Sequence, residues 1–278
     1  MMQTISIRQT LVGTMLRQYR EAQGYKLEDA ASILECDRSK ISRVETGQRG
    51  IRPKELRELL SEYGVDEATQ DTLATICRPR SASGWWENYH KVLPAPYLDF
   101  IVTEGVASRV MIYAPLRVPE LLSTADYARA MAEADLTVPE GMEEARVQAI
   151  VAHRQAALPD VTVILGEAAL KQRVGERAVM REQFAHLASL SRTHDWLTIR
   201  MLPFSAGSTA GSDVGAFSLL QFNWISELGL AHLAGPAGGI YIDDNTLITT
   251  YARTFTHLAW YTATREQSLV TFHELSKR

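Results

Sequence analysis

Residues 26–54, KLEDAASILECDRSKISRVETGQRGIRPK, hold two short helical apolar stripes separated by a three-residue break, and that spacing leaves the segment little choice of local fold. Leu27, Ala30, Ala31 and Leu34 recur at helical spacing, and after Glu35-Cys36-Asp37 the pattern resumes with Ile41 and Val44. Two amphipathic helices meeting across so short a turn predict a helix-turn-helix, the unit that lays its second helix in the major groove of DNA. Asp37 stands at the expected N-cap, where its carboxylate can accept from the N–H of Ser39 or Lys40, and Gly47 stands where a helix ends with positive φ. The second helix is therefore expected from about Arg38 to Thr46. With Ile41 and Val44 inward, Arg38, Ser39, Lys40, Ser42 and Arg43 fall on the outer face. Arg43 and Lys40 are the best candidates for guanine contacts, because a cationic donor matches the paired acceptors of that base. Gln48, Arg49 and Arg52 follow in a loop suited to phosphate oxygens.

Charge favours this reading over a merely solvated helix. Residues 37–54 carry six Lys or Arg (38, 40, 43, 49, 52 and 54) against Asp37 and Glu45, a net of +4, whereas residues 81–278 carry sixteen cations and twenty-one anions. Positive charge confined to one proposed reading surface points to double-stranded DNA rather than to general nucleic-acid adhesion.

At 278 residues the chain exceeds what a helix-turn-helix domain of about 60 to 80 residues needs, so a second domain follows. The first is expected to be all-α with five helices: one over about 7–22 with Leu11, Met15, Leu16 and Tyr19 inward, the pair, a fourth from Pro53 to about Tyr63, and a fifth from Asp66 to Cys77 presenting Ala68, Leu73 and Ile76. The breaker-rich stretch 79–84 reads as a linker, which places domains at 1–78 and 85–278. The second domain reads as mixed α/β. Strands are expected at 107–114, 161–165, 197–202, 216–222 and 238–243, and helices near 123–134, 140–157, 167–171, 177–192, 245–262 and 264–275. Asp244 or Asn245 is placed to cap the penultimate helix, and Thr264 the last.

Residues 12–63 resemble the helix-turn-helix of phage-repressor and Cro-like (Xre-type) regulators, with Glu45 and Gly47 matching that family's Glu-x-Gly ending. Where those proteins have a capping Ser or Thr followed by a Gln that braces DNA contacts, this chain has Lys26 and Leu27; Leu27 is expected to pack and Lys26 to reach a phosphate. RVPELLSTADYARAM (118–131), HRQAAL (153–158), LGEAALKQRVG (165–175), MREQFAHL (180–187), MLPFSAG (201–207) and GAFSLLQF (215–222) resemble, in order, a DUF5753-like domain of actinobacterial regulators. The pair is similar to antitoxin-like, WhiJ-related transcriptional regulators, and that resemblance implies a small partner protein encoded nearby. The chain departs from the pattern at Glu120, Ser123 and His232-Leu233-Ala234-Gly235.

The residues give no catalytic constellation. There is no Gly-x-Ser-x-Gly elbow, P-loop or HExxH pair, and Ser208, Ser212 and Asp213 lie in a Gly-rich loop that reads as a connection rather than a phosphate cradle. His153 and His186 have no metal-ligand spacing and read as polar-edge or core histidines, Glu167 reads as a first-turn helix residue, and Cys36 and Cys77 read as small buried hydrophobes. Trp85, Trp86, Tyr89 and Tyr97 read as interface packing ahead of a ligand wall. No cofactor or metal is expected. Without a signal-peptide pattern or a long apolar run, the chain is expected in the cytoplasm, associated with the nucleoid. The sequence thus points to a non-enzymatic, sequence-specific transcriptional regulator that binds a near-palindromic operator as a homodimer, its second domain receiving a partner protein or another signal. The alternative is an antitoxin-like interaction module that uses its helix-turn-helix mainly for autoregulation.

Overall fold

A computed structural model of the chain describes residues 7–77, 89, 92, 93, 95–154, 160–223, 229–235 and 239–278. The expected linker 79–84, the residues Trp85 and Trp86, and the end of the helix expected to reach 157 lie outside these. The N-terminal domain is helical throughout: α1 (Ile7–Ala22), α2 (Leu27–Ile33), α3 (Arg38–Glu45), α4 (Pro53–Glu62) and α5 (Glu67–Cys77). Leu11, Met15, Leu16, Ala30, Ile41, Val44, Leu56, Leu59, Leu60, Leu73 and Ile76 form its core. Ala68, expected inward, is exposed, and Ala74 takes its place because it shares a helical face with Leu73 and Ile76.

The C-terminal domain adds α6 (Ala95–Glu104), β1 (Arg109–Ala114), α7 (Ala125–Glu133), α8 (Glu143–Arg154), β2 (Asp160–Gly166), α9 (Glu167–Lys171), α10 (Arg177–Thr193), β3 (Leu197–Leu202), β4 (Phe217–Gln221), β5 (Leu230–Leu233), β6 (Ile240–Ile242), α11 (Asn245–Tyr261) and α12 (Arg265–Leu275). The six strands form one mixed sheet in the order β3-β2-β1-β4-β5-β6. β1, β2 and β3 run parallel, as helical crossovers require, and β4, β5 and β6 continue as an antiparallel meander. Alternation along the strands divides the core. Val110, Ile112, Val161, Val163, Leu197 and Ile199 join one cluster with Phe184, Leu187 and Phe272 of α10 and α12. Tyr113, Ile164, Phe217 and Leu219 turn to the opposite face and pack under Ile248, Phe255 and Leu258 of α11.

Caps appear where the residue types put them. Asp244 accepts from the Leu247 N–H at 2.9 Å, and Thr264 accepts from the Gln267 N–H at 3.2 Å. α1 also meets α6. Arg8 donates to the Ile76 carbonyl at 2.8 Å and lies 3.9 Å from the buried Asp99 carboxylate.

Candidate nucleic-acid interface

The paired helices are joined by a turn in which Glu35 adopts φ 46°, a left-handed conformation that costs a residue with a Cβ about 1–2 kcal/mol. The Cys36 N–H donates back to the Ala31 carbonyl at 2.9 Å and closes the turn. Asp37 is the N-cap of α3, yet its side chain makes no capping hydrogen bond, which corrects the expectation that its carboxylate meets Ser39 or Lys40 backbone. The nearest contact is from the Ser39 hydroxyl at 3.5 Å, and the Lys40 N–H goes to the Asp37 carbonyl instead. At the start of α2, Lys26 offers no acceptor to the free N–H groups of the first turn, and Asp29 makes the reciprocal contact, its carboxylate accepting the Lys26 N–H at 2.7 Å. Lys26 itself is exposed, and Leu27 packs half-buried against the core.

Two glycines let α1 seat the outer helix. A Cβ on Gly13 would lie 2.3 Å from the Val44 carbonyl oxygen, so α1 crosses the end of α3 in backbone contact. Gly47 ends α3 with φ 70°, as expected, and there a Cβ would meet Thr10 Cα at 2.8 Å. Glu45 completes the docking. Its carboxylate accepts from Arg20 Nε at 2.7 Å and Nη2 at 2.9 Å, while Arg20 Nη1 donates to the Tyr25 carbonyl at 2.7 Å. Both side chains are buried, and the hydrogen bond to Glu45 holds the Arg20 pKa above its ordinary value against the cost of burial. Sequence reasoning matched Glu45 to a motif and missed its partner. The signal was available, because Glu45 shares the inward face with Ile41 and Val44, where an acid needs a cation.

The expected surface residues then divide. Ser39, Arg43, Gln48, Arg49 and Arg52 are exposed. Arg43 folds back along its own helix, donating from Nε to the Ser39 carbonyl at 3.1 Å and from Nη2 to the Ser39 hydroxyl at 3.4 Å. Arg38 is exposed and paired with Glu28 at 2.9 Å, a surface ion pair of about 0–1 kcal/mol that a phosphate can displace. Ser42 is half-buried. Lys40 departs from the outward placement: Nζ sits 2.8 Å from Glu55 Oε1 on α4, both partly buried, and this hydrogen bond holds the Glu55 carboxyl below its ordinary pKa. Residue 40 precedes the inward Ile41, so its long side chain lies along the α3–α4 seam rather than over the groove-facing side.

The residues that suggest enzyme chemistry are placed structurally. His153 is buried, with Nε2 2.5 Å from Glu104 Oε2. Burial opposes its charge, and the Glu104 carboxylate overrides this and raises its pKa. Glu167 opens α9, as expected, and accepts the Phe204 N–H at 2.8 Å. The loop after β3 begins with a single 3-10 turn, Phe204–Ala206, and is tied by the Thr209 N–H to the Ser212 hydroxyl at 2.9 Å. Cys36 and Cys77 are half-buried free thiols, and burial pushes Cys77 up to about 12. Among the described residues no three His, Cys, Asp or Glu side chains gather as a metal site.

Two family profiles match the chain. Residues 97–274 match a domain of unknown function, DUF5753, and residues 11–73 match a helix-turn-helix domain. Comparison with curated proteins gave no match, and neither did comparison with solved structures.

Proposed function

The chain belongs to the DUF5753 family and carries a helix-turn-helix domain ahead of that region, and from this premise we propose that it is a sequence-specific transcriptional regulator that reads a near-palindromic operator as a homodimer. The observation that carries the reading is the asymmetry of charge around α3. Its inward acid, Glu45, is neutralised by Arg20, while Arg43, Arg49 and Arg52 remain exposed on the helix and the loop that follows it. Arg43, with Ser39 beside it, supplies base-edge contacts; Lys26, Arg38, Gln48, Arg49 and Arg52 supply phosphate contacts. Ser42 and Lys40 support them from the edge, Lys40 after release from Glu55. Dimerisation follows from economy, because one helix reads only a few base pairs and two half-sites about one helical turn apart give usable specificity. The C-terminal domain receives the signal, a partner protein or a small molecule. Among the described residues no helix is long and apolar enough to cross a membrane.

Purified protein incubated with sheared host DNA, followed by sequencing of what is retained, tests this. A shared near-palindromic motif that disappears with Arg43→Ala supports the reading. Smooth, salt-labile retention without a motif contradicts it and favours the autoregulating interaction module.

A further inference from the structure

The C-terminal domain holds a cleft of about 520 Å³ at the end of the sheet where β1 and β5 finish and the antiparallel strand between them, β4, begins. Its volume lies within the ~300–1,000 Å³ typical of small-molecule sites. The walls are mostly apolar, with Phe100, Ile112, Tyr113, Leu121, Val138 and Phe217 among them.

One group of polar side chains on the wall is held in place by its own contacts. Arg146 lies over the Tyr97 ring, 4.7 Å from its centroid, and donates from Nη2 to Glu120 Oε1 at 2.6 Å. The Tyr97 hydroxyl donates to the other Glu120 oxygen. Glu120 is anchored by the segment around it: Gln183 accepts the Thr124 N–H and donates to the Leu122 carbonyl, each at 2.7 Å, and the Tyr127 hydroxyl accepts the Val118 N–H at 3.2 Å. Arg146 is only 9 % exposed, and its Nη1 is buried with no acceptor among the described residues. A buried guanidinium N–H left without an acceptor is a costly state, and a ligand oxygen that reaches it by a small adjustment of the wall relieves it.

Charge selects the kind of ligand. Arg146 is matched by Glu120, His153 on the same wall is matched by Glu104, and Arg117 and Asp135 add one charge of each sign to the lining. A ligand anion would crowd Glu120 and Glu104, and a ligand cation would crowd Arg146. A neutral oxygen satisfies Nη1 and leaves both pairs intact. We propose that this cavity binds an uncharged, mainly aromatic or aliphatic small molecule whose carbonyl oxygen accepts a hydrogen bond from Arg146. This deepens the reading of the C-terminal domain as the one that receives a signal.

The test titrates the full chain, without DNA, with prodan, a neutral naphthalene bearing a propionyl carbonyl whose emission shifts to shorter wavelength on leaving water. Saturable one-to-one binding is expected. Arg146→Met should weaken it about tenfold, the loss of one hydrogen bond to a charged donor, and Ala216→Trp, on the exposed rim of the cavity, should abolish it. 2-Dimethylaminonaphthalene, which lacks the carbonyl, should bind the wild-type chain about tenfold more weakly than prodan, and this arm decides the carbonyl's role even where Arg146→Met fails to fold. Absence of saturable binding, binding that survives Ala216→Trp, or tighter binding of 6-dimethylamino-2-naphthoate than of prodan overturns the proposal. Because no DNA is present, that failure leaves the DNA-reading claim standing.

Discussion

Removal of the Glu45 carboxylate should cost the helix-turn-helix domain more than any single change on its outer surface. Glu45 and Arg20 are 8 % and 6 % exposed and joined by hydrogen bonds of 2.7 and 2.9 Å. After Glu45→Ala, Arg20 keeps the Tyr25 carbonyl and a 3.3 Å contact to Glu21, whose side chain is 51 % exposed. Leaving a buried charge without its partner costs about 3–5 kcal/mol. A domain this small sits near the lower end of the usual ~5–15 kcal/mol of stability, so most of its stability is at stake. Hydrogen–deuterium exchange read by mass spectrometry should show residues 7–77 losing protection in Glu45→Ala while peptides from the sheet keep theirs. Arg20→Met combined with Glu45→Leu removes both charges and should recover much of the protection, since apolar side chains replace such pairs at little cost. A Glu45→Ala protein that exchanges like wild type, or a double variant as unprotected as the single, would refute the reasoning from unpaired charge.

Gly13→Ala should drive α1 off α3, because the new methyl would lie 2.3 Å from one backbone carbonyl and 2.8 Å from the next; a loss of about 1–3 kcal/mol is expected in the helical melting curve, and an unchanged melt contradicts it. Glu35→Gly relieves the left-handed residue in the turn, offset by glycine's greater freedom in the unfolded chain, for a net gain of about 0.5 kcal/mol in urea titration; a net loss would mean that the Glu35 side chain contributes more than its backbone strain costs. His153 has a folded-state pKa raised above 6.5, so its contribution to stability is complete below that value and fades as pH climbs through the folded-state pKa. Unfolding midpoints followed by tryptophan fluorescence should fall over that rise, and His153→Gln should flatten the trend; midpoints that climb with pH there contradict the assigned pairing with Glu104.

The N-terminal domain was legible because its signals are local. Leu11, Met15 and Leu16, then Ile41 and Val44, then Leu56, Leu59 and Leu60 mark one face each, and Gly47 and Pro53 punctuate them. Capping chemistry at Asp37 and the direction of Lys40 were less so, since each depends on a competitor: the Asp37 backbone carbonyl in one case, Glu55 in the other. Five strands were readable from β-branched runs. β5 was missed because four residues, LAHL, carry almost no alternation, and α6 was missed because Leu98, Phe100, Ile101 and Val102 bury nearly its whole circumference and erase the 3.6-residue period. Tyr97, Glu120 and His153 each stood out in the sequence, but nothing in it showed that they share a cavity. Tyr97 and Glu104 lie on α6, Arg146 and His153 on α8, and Glu120 between β1 and α7, and only the packing of these distant segments brings them together.

The central claim is that α3 reads base edges while the loop after it holds the backbone, and it is tested most directly by affinities for a recovered operator and a scrambled duplex across a salt series. Arg43→Ala should weaken operator binding by about 1–3 kcal/mol and leave scrambled DNA nearly unchanged, while Arg49→Ala should weaken both alike and lower the salt slope by about one. Equal losses on both duplexes for Arg43→Ala would contradict the account, because they would make that arginine a phosphate contact and remove the base-reading role from α3.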